Sequence, residues 1–487
     1  MKTVNPSYRL LLAAVLLAAL PFFTCFAGGM SRHATLSKTA DSVLHDEIRR
    51  QVADDGLQRQ LYFPRSVSRF YTAAGFGPVW IKPQSGEGPA WQALLMIDCV
   101  LQYGLSHADY HPQELTYDRL HNILDTPDRV SVALEARYDI MLTDAILTLM
   151  NHLHFGKLNP DFPAGKIDAM TVGGFQATQA LSAGLRSQKV LEAIDNVQPK
   201  AREYINMQRR LHMLEGIYQD DCYEVPQAEV RKIAINMERL RWVNLDDSVY
   251  IHINIPSYTL KLYLKDSTHR FKVIVGKPGT PTPTLLSAIR YFTSAPEWRV
   301  PAKIFRKELL PKALADSNYL EQNHYAIYDG QGKYVTPGRA TLSLVSKHPE
   351  RYSARQSAGC DNALGLVVYR FPNVYDVYLH DTPEQKLFSR ENRDLSHGCI
   401  RVEHAEKLGT LLLKNDGSAD KIATLYQGIA AYVTRNIYLK KAIPVKITYL
   451  TCEVNAGEYV AYKDIYDLDK SLEMALYGAA LQSTMQQ

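Results

Sequence analysis

Residues 374–402 read VYDVYLHDTPEQKLFSRENRDLSHGCIRV, a strand-like run that leads through a polar loop into a second short apolar run. Side chains alternate across a β-strand, so the run Val374–His380 is predicted to place Asp376, Tyr378 and His380 on one face. A histidine at the exposed end of such a strand is well placed to act as a base. The stretch therefore predicts a β-rich domain with a reactive side chain at a strand end.

The motif SHGC at 396–399 carries the strongest chemical signal and is separated from His380 by residues 381–395. A thiolate is the nucleophile in cysteine chemistry, so we expect the pKa of Cys399 to be lowered by a nearby base or by dipoles. The flanking glycine lets backbone N–H groups approach a developing oxyanion. The motif predicts a cysteine nucleophile with His380 as its base. The alternative is a core histidine and a cysteine without function.

Outward from this stretch, the second half of the chain alternates strand-like runs with turn signals. The runs are Val249–Ile255, Thr259–Leu264, Arg270–Val275, Val367–Phe371 and Pro444–Leu450, and two short helices are predicted at Glu403–Lys414 and Ser418–Arg435.

The first half is predicted to be helical from about Asp46 to Tyr218, because apolar residues recur at helical spacing in Ala133–His154 and Ala201–Leu214. A further helix is predicted at Arg231–Trp242. The fold class is therefore α+β, with a helical N-terminal domain and a β-rich C-terminal domain.

The N-terminus has the three parts of an export signal. Lys2 and Arg9 precede the uncharged apolar run Leu10–Phe23, which is shorter than the ~20 residues of a membrane span. Small residues follow. We expect export with cleavage after Ala27. The alternatives are lipidation of Cys25 or an uncleaved anchor that attaches the chain to a membrane.

The composition is that of a soluble globular protein of more than one domain. The chain has 487 residues, of which 46% are hydrophobic and 22% charged, and this excludes disordered, collagen-like and multi-pass membrane classes. The net charge of +4 is too small to indicate a nucleic-acid-binding protein. Removal of the leader leaves an odd number of cysteines, so at least one thiol should be free.

His380 together with residues 396–402, SHGCIRV, resembles the signature of the L,D-transpeptidase catalytic domain. Members of this family cross-link peptidoglycan in bacterial envelopes. The similarity to the long, periplasmic branch extends to residues 236–242, 273–278, 282–283, 298–301, 362–365, 371–373 and 378–383, and in the helical half to 104–105, 109–111 and 142–144.

The resemblance implies a domain order. Together with the export signal, it predicts a signal peptide at 1–27, a linker at 28–45, a helical scaffold domain at 46–230, an L,D-transpeptidase catalytic domain at 231–455 with a lid at 302–355, and a C-terminal extension at 456–487. Many long-branch members also carry a small peptidoglycan-binding module before the catalytic domain. Residues 219–230 are too few for a module that needs ~40 residues, so we predict that it is missing here.

The resemblance also implies catalytic roles. Cys399 matches the nucleophile and His380 its base, oriented by the backbone carbonyl of Asp381. The N–H groups of His397, Gly398 and Cys399 would form the oxyanion hole.

Tyr378, Asp381, Ser396 and Arg401 are expected to line the substrate site. Arg401 is a candidate clamp for a substrate carboxylate, since guanidinium binds carboxylate in a fork. The alternative for this residue is a solvated arginine.

The implied activity is that of an acyltransferase. Donor and acceptor peptidoglycan stem peptides are the expected partners, a cysteinyl thioester is the expected intermediate, and no metal or organic cofactor is needed. The expected location is the periplasm or cell envelope. An L,D-carboxypeptidase that trims stems and a non-catalytic cell-wall-binding scaffold remain as alternatives.

Three other patterns have competing interpretations. Ser418–Lys421 matches the Ser-x-x-Lys motif of penicillin-binding enzymes, but the chain has no Lys-Thr-Gly, so we predict that the serine caps a helix. His107 and His111 have metal-like spacing without a matching ligand cluster, and no zinc is expected. Cys360 stands where the family tends to have proline, and a disulfide with Cys399 would switch the enzyme off.

Overall fold

The structure is a computed structural model that describes residues 42–81, 88–217, 227–316 and 318–484. The predicted leader with Cys25, most of the predicted linker, and most of the segment that is too short for a binding module lie outside the described residues. Within the described ranges, no helix combines the length and apolar character that a membrane crossing requires.

The N-terminal half is a helical domain, as predicted. Its helices are α1 (42–52), α2 (Asp55–Gln58), α3 (Pro64–Ala73), α4 (Pro89–Asp98), α5 (Tyr117–Asp125), α6 (Val132–Phe155), α7 (Ala164–Asp168), α8 (Ala177–Arg186), α9 (Val190–Asp195) and α10 (Arg202–Ile217). Helix α6 is buried along most of its length, because α3, α4 and α8 pack around it. Its bounds confirm the helix predicted at Ala133–His154.

Two buried carboxylates of α6 hold the loops of this domain in place. Asp139 accepts hydrogen bonds from the backbone N–H groups of residues 79–81, and Asp144 accepts from those of residues 62–63. The Nε2 atom of His111 lies 2.7 Å from the Asp144 carboxylate. These bonds offset the cost of removing both carboxylates from water.

The C-terminal half combines strands with shorter helices. The strands are β1 (Tyr250–Asn254), β2 (Thr259–Leu264), β3 (Ser267–Gly276), β4 (Leu285–Ser294), β5 (Trp298–Val300), β6 (Tyr325–Tyr328), β7 (Tyr334–Val335), β8 (Ser353–Gln356), β9 (Val367–Arg370), β10 (Leu379–His380), β11 (Asp394–Ser396), β12 (Ile400–Val402), β13 (Arg435–Thr448), β14 (Cys452–Asn455) and β15 (Glu458–Ala461). The helices are α11 (Gln227–Arg241), α12 (Ala302–Ile304), α13 (Leu310–Ala315), α14 (Tyr319–Gln322), α15 (Arg339–Lys347), α16 (Ala405–Asn415), α17 (Lys421–Ala430) and α18 (Asp469–Thr484).

A nine-stranded sheet forms the core of this half, in the order β11-β3-β12-β10-β9-β4-β13-β1-β2. Because β3 also pairs with β2, the sheet closes on itself. Strand β10 lies at its centre, parallel to β12 and antiparallel to β9. The α+β fold class predicted from the sequence is confirmed.

The strand predicted at Val374–His380 is wrong for most of its length, since only Leu379 and His380 are in β10. Asp376 has a φ of 55°, in the left-handed region, which no strand residue adopts. Val374 is 90% exposed, so the first part of the run is a surface turn.

Residues 298–356 form a cap subdomain with its own sheet, β5-β8-β6-β7, and its own small core of Phe305, Leu309, Ile327 and Val345. This packed unit contains the segment 302–355 that is predicted as a lid.

The two predicted edges of the catalytic domain fall inside regular elements. Helix α11 spans the predicted edge at 230/231, and the hairpin of β14 and β15 spans the one at 455/456. Helix α18 then packs back on α11, where Arg239 pairs with Asp469 at 2.5 Å. The scaffold domain also touches α11, because Arg241 donates a hydrogen bond to the Tyr103 carbonyl at 2.5 Å.

Ser418 does not cap a helix as predicted. It is fully buried, and its hydroxyl donates to the Asp416 carboxylate at 2.7 Å, while α17 begins only at Lys421. The same carboxylate accepts hydrogen bonds from the N–H groups of Lys440 and Lys441, so the serine helps to hold a loop against β13.

Candidate active site

A cavity of about 1270 Å³ lies between the cap subdomain and the end of the sheet at β10 and β12. Its lining includes the predicted site residues Tyr378, His380, Ser396, His397, Cys399 and Arg401, together with Trp298, Lys303, Glu308 and Lys312 of the cap subdomain. Residues far apart in the sequence therefore meet at one cleft, which is the usual form of a small-ligand site.

Cys399 sits in the tight turn between β11 and β12. Its Sγ donates a weak hydrogen bond to the backbone carbonyl of Asp376 at 3.8 Å. Burial raises the pKa of the Cys399 thiol, and hydrogen bonds from the N–H and hydroxyl of Tyr378 oppose that rise. The pKa is thus raised in the resting structure, where the sequence-based expectation was a lowered one.

His380 is buried at the end of β10, with its ring fixed by the backbone. Its Nδ1 lies 2.6 Å from the carbonyl oxygen of Asp381, the position that the resemblance implies. A carbonyl can only accept, so Nδ1 carries the proton and Nε2 is the basic atom. Burial, followed by the nearby charge of Arg401, lowers the pKa of His380 to about 3. The imidazole is therefore neutral at rest.

The thiol and the imidazole are neighbours across two paired strands. The register places His380 opposite Arg401, and Cys399 comes just before β12. No hydrogen bond joins Sγ to the His380 ring in the described part of the chain. Such contacts are often loose without substrate and tighten in the complex. Both groups line the same cavity, and both are neutral at rest.

Ser396 fixes the shape of the turn that holds the thiol. Its hydroxyl donates to the carbonyl of Cys399 at 2.5 Å and accepts from the N–H of Gly398 at 3.1 Å. The N–H of Gly398 is therefore occupied, contrary to the prediction that it belongs to the oxyanion hole. The N–H groups of His397 and Cys399 donate to no protein acceptor among the described residues, and they remain as candidate donors.

Gly398 has a φ of 118°, where only glycine is unstrained. Its carbonyl accepts from the Thr282 hydroxyl at 2.8 Å, which in turn accepts from the N–H of Gly276 at 2.9 Å. A Cβ at Gly276 would lie 2.2 Å from the Thr280 carbonyl oxygen. The segment 276–282 thus packs directly against the turn and supports it.

Comparison with known proteins identifies both halves of the chain. Residues 248–419 match the L,D-transpeptidase catalytic domain, and residues 65–211 match the scaffold domain. Residues 248–419 are an L,D-transpeptidase catalytic domain. The match contains both His380 and Cys399, and it confirms the family resemblance that the signature predicts.

A curated relative supports the same assignment over most of the chain. A Haemophilus influenzae protein with the provisional name L,D-transpeptidase is 28% identical over 447 residues, which are 90% of this chain and 84% of the relative. A solved structure of an L,D-transpeptidase from Mycobacterium smegmatis aligns with 41% of this chain and 58% of its own, at 13% identity and a TM-score of 0.18.

Two predicted residues of the L,D-transpeptidase domain have partners that the sequence did not indicate. The Nε2 atom of His397 lies 2.7 Å from the Glu308 carboxylate of the cap subdomain, so its side chain has a contact besides any backbone role. The guanidinium of Arg401 pairs with Glu384 at 2.5 Å, so the predicted carboxylate clamp is already neutralised.

Tyr378 lies beside His380 and lines the same cavity as His380 and Cys399. Its ring centroid is 5.7 Å from that of His380, and burial raises the pKa of its hydroxyl. On its other side, the guanidinium of Arg370 sits 5.7 Å from the ring centroid. Sequence reasoning missed Arg370, although it directly precedes the family-like segment 371–373.

Cys360 is exposed, and its thiol is close enough to the Tyr432 hydroxyl to raise the pKa of that tyrosine. Cys99, Cys360, Cys399 and Cys452 are all free thiols in the structure, so the disulfide between Cys360 and Cys399 is not formed. Cys222 lies outside the described residues. The described residues also contain no group of three or more potential metal ligands.

Proposed function

We propose that this protein is a peptidoglycan L,D-transpeptidase that joins stem peptides through a thioester on Cys399. The observation that carries the proposal is the orientation of His380, whose Nδ1 is held by the Asp381 carbonyl at the cavity that also contains Cys399. The domain family and the relative's name support the reaction class.

Acylation begins when Cys399 Sγ attacks the carbonyl carbon of the third stem residue, at its L-centre. His380 Nε2 takes the thiol proton, and the N–H groups of His397 and Cys399 stabilise the oxyanion. The intermediate collapses and the C–N bond breaks. The departing amine of the terminal D-residue accepts the proton from the imidazolium, and the acyl group remains on sulfur.

Deacylation reverses these roles. The side-chain amine of the third residue on a second stem attacks the thioester and loses a proton to His380. The C–S bond then breaks, and the thiolate regains that proton. No metal or organic cofactor enters this sequence.

The raised pKa of Cys399 and the lowered pKa of His380 favour neutral partners over a thiolate–imidazolium pair. Proton transfer should therefore accompany attack rather than precede it. Ser396 and Thr282 hold the turn rigid, so the oxyanion donors are in place before the substrate arrives.

The cap subdomain supplies one wall of the cavity and acts as the lid in this proposal. Excluding water from the thioester favours an amine acceptor over hydrolysis. We further propose a location in the cell envelope, because the family acts on the cell wall. An L,D-carboxypeptidase would use the same thioester and differ only in its acceptor.

Mass spectrometry of the intact protein with a tetrapeptide stem tests the proposal. Addition of the tripeptide acyl group on Cys399, and its transfer to an added acceptor stem, are the expected results. Cys399→Ala should form no adduct, whereas Cys99→Ala, in the scaffold domain, should behave as the wild type. An adduct that persists in Cys399→Ala would overturn the assignment, and release of free tripeptide despite the acceptor would favour the carboxypeptidase.

A further inference from the structure

Arg370 lies at the edge of the cavity, and the proposed reaction assigns no role to its positive charge. It is the last residue of β9, which pairs with β10 so that Tyr369 is opposite Leu379. Arg370 follows Tyr369 in β9, Tyr378 directly precedes β10, and the guanidinium lies over the tyrosine ring. Arg370 therefore reaches the cavity beside the residue that contacts the thiol.

The environment of Arg370 lacks a counter-charge. The residue is half-buried, and no ion pair joins it to a carboxylate among the described residues. Arg401, by contrast, pairs with Glu384, and the cavity residue Glu297 pairs with Arg355. A partly desolvated guanidinium without a carboxylate or ordered partner is costly, and a bound anion would offset that cost.

The acyl donor has an anion that could pair with Arg370, namely the carboxylate of its leaving residue. When the scissile carbonyl is at Sγ, a leaving residue at the end of a peptide carries its carboxylate only two bonds beyond the departing nitrogen. Tyr378 bridges these two points, since its hydroxyl hydrogen-bonds to the Cys399 thiol and its ring contacts Arg370. A guanidinium matches a carboxylate in a two-point geometry.

We propose that Arg370 binds the terminal carboxylate of the acyl donor and thereby restricts the enzyme to donors whose leaving residue is carboxy-terminal. The inference rests on the proposed function, and it assigns the substrate carboxylate to Arg370 in place of Arg401. Internal peptide bonds and amidated ends would be poor donors, because they leave Arg370 unpaired.

The test compares acylation of Cys399 by a tetrapeptide stem and by the same stem with a C-terminal amide. The wild type should prefer the free acid by roughly tenfold to hundredfold in kcat/KM, the size of a charge-assisted hydrogen bond. Arg370→Gln should slow the acid donor by that factor and leave the amide donor nearly unchanged. Arg370→Lys, which keeps the charge, should retain part of the preference.

Arg299→Gln is the matched control, because Arg299 also lines the cavity and has no carboxylate partner among the described residues, but its side chain is exposed to solvent. It should leave the preference unchanged. Equal losses on both donors in Arg370→Gln, in a variant that melts like the wild type, would overturn the inference and reduce Arg370 to a support for Tyr378. If Arg370→Gln does not fold, Arg370→Lys decides instead: a reduced preference caused by slower reaction of the acid donor alone supports the inference, and equal slowing of both donors overturns it. Failure of the wild type to acylate with either donor would refute the proposed function itself.

Discussion

His397 Nε2 lies 2.7 Å from a carboxylate oxygen of Glu308, and this contact joins the cysteine turn to the cap subdomain across the catalytic cavity. Both side chains are partly exposed, at 38% and 45%. A contact of this kind is weak, worth about 0–1 kcal/mol, so it can form and break during turnover. It gives the proposed lid a direct link to the turn on which we propose that the thioester forms.

Glu308→Ala should increase hydrolysis relative to transfer. Loss of the contact frees the cap subdomain to open, and water then reaches the thioester more often. The expected change in the ratio of tripeptide to cross-linked product is up to about fivefold, set by the energy of a partly exposed pair. Chromatography of the products formed with excess acceptor stem measures it.

Glu350→Ala is the control for that experiment. Glu350 is an exposed acid of the same subdomain, pairs with His348 at 3.7 Å, and does not line the cavity. It should leave the product ratio unchanged. An unchanged ratio in Glu308→Ala as well would show that the contact does not influence water access.

Alkylation of Cys399 by iodoacetamide should keep accelerating up to and beyond pH 9. Burial holds the pKa of the thiol above its usual value, so little thiolate exists at neutral pH. Tyr378→Phe should slow alkylation further, because the tyrosine hydroxyl lowers the pKa of the thiol. A plateau in rate below pH 7 would instead reveal a thiolate–imidazolium pair and contradict the neutral resting state.

His380→Ala should reduce acylation by ~10²–10⁴, the usual effect of removing a general base. The effect should appear in kcat, since the imidazole acts on the reacting proton rather than on substrate binding. His397→Ala should cost less, because its N–H survives the substitution and only the Glu308 contact is lost. Single-turnover rates of the two variants compare them, and a larger loss in His397→Ala would invert the assignment of the base.

The sequence predicted the features that depend on local pattern. Helix α6 and the strands β1 and β2 follow from hydrophobic periodicity, and the motif at 396–399 lies in a turn that lines the cavity. The end of the predicted strand at Asp376 could not be predicted. An alternating sequence pattern does not reveal that one residue adopts a left-handed backbone conformation.

Features that depend on long-range contacts could not be predicted. Glu308 is 89 positions from His397, and Arg370 meets Tyr378 only through the pairing of β9 with β10. The predicted direction of the pKa shift of Cys399 was wrong for the same reason. Spacing indicates which groups are near a thiol, but burial sets the larger effect here, and burial is a property of the packed cavity.

The protein should lose stability as the pH falls from about 7 towards 4, before its carboxylates protonate. Burial lowers the pKa of His152 to about 3, of His252 to about 4 and of His380 to about 3, all from 6.5. Between those values the unfolded chain binds more protons than the folded one, so acid favours unfolding. Each histidine should cost on the order of 1–2 kcal/mol of unfolding free energy between pH 7 and pH 5.

Denaturant unfolding at pH 7 and pH 5 measures this difference. His252→Gln should reduce it by about one histidine's share, since a glutamine amide can keep the contact with the Thr448 hydroxyl, 2.8 Å away in the wild type, without taking up a proton. His212→Gln, at an exposed position of α10, should leave the pH difference unchanged. If His252→Gln loses as much stability on acidification as the wild type does, this histidine is not buried in its neutral form.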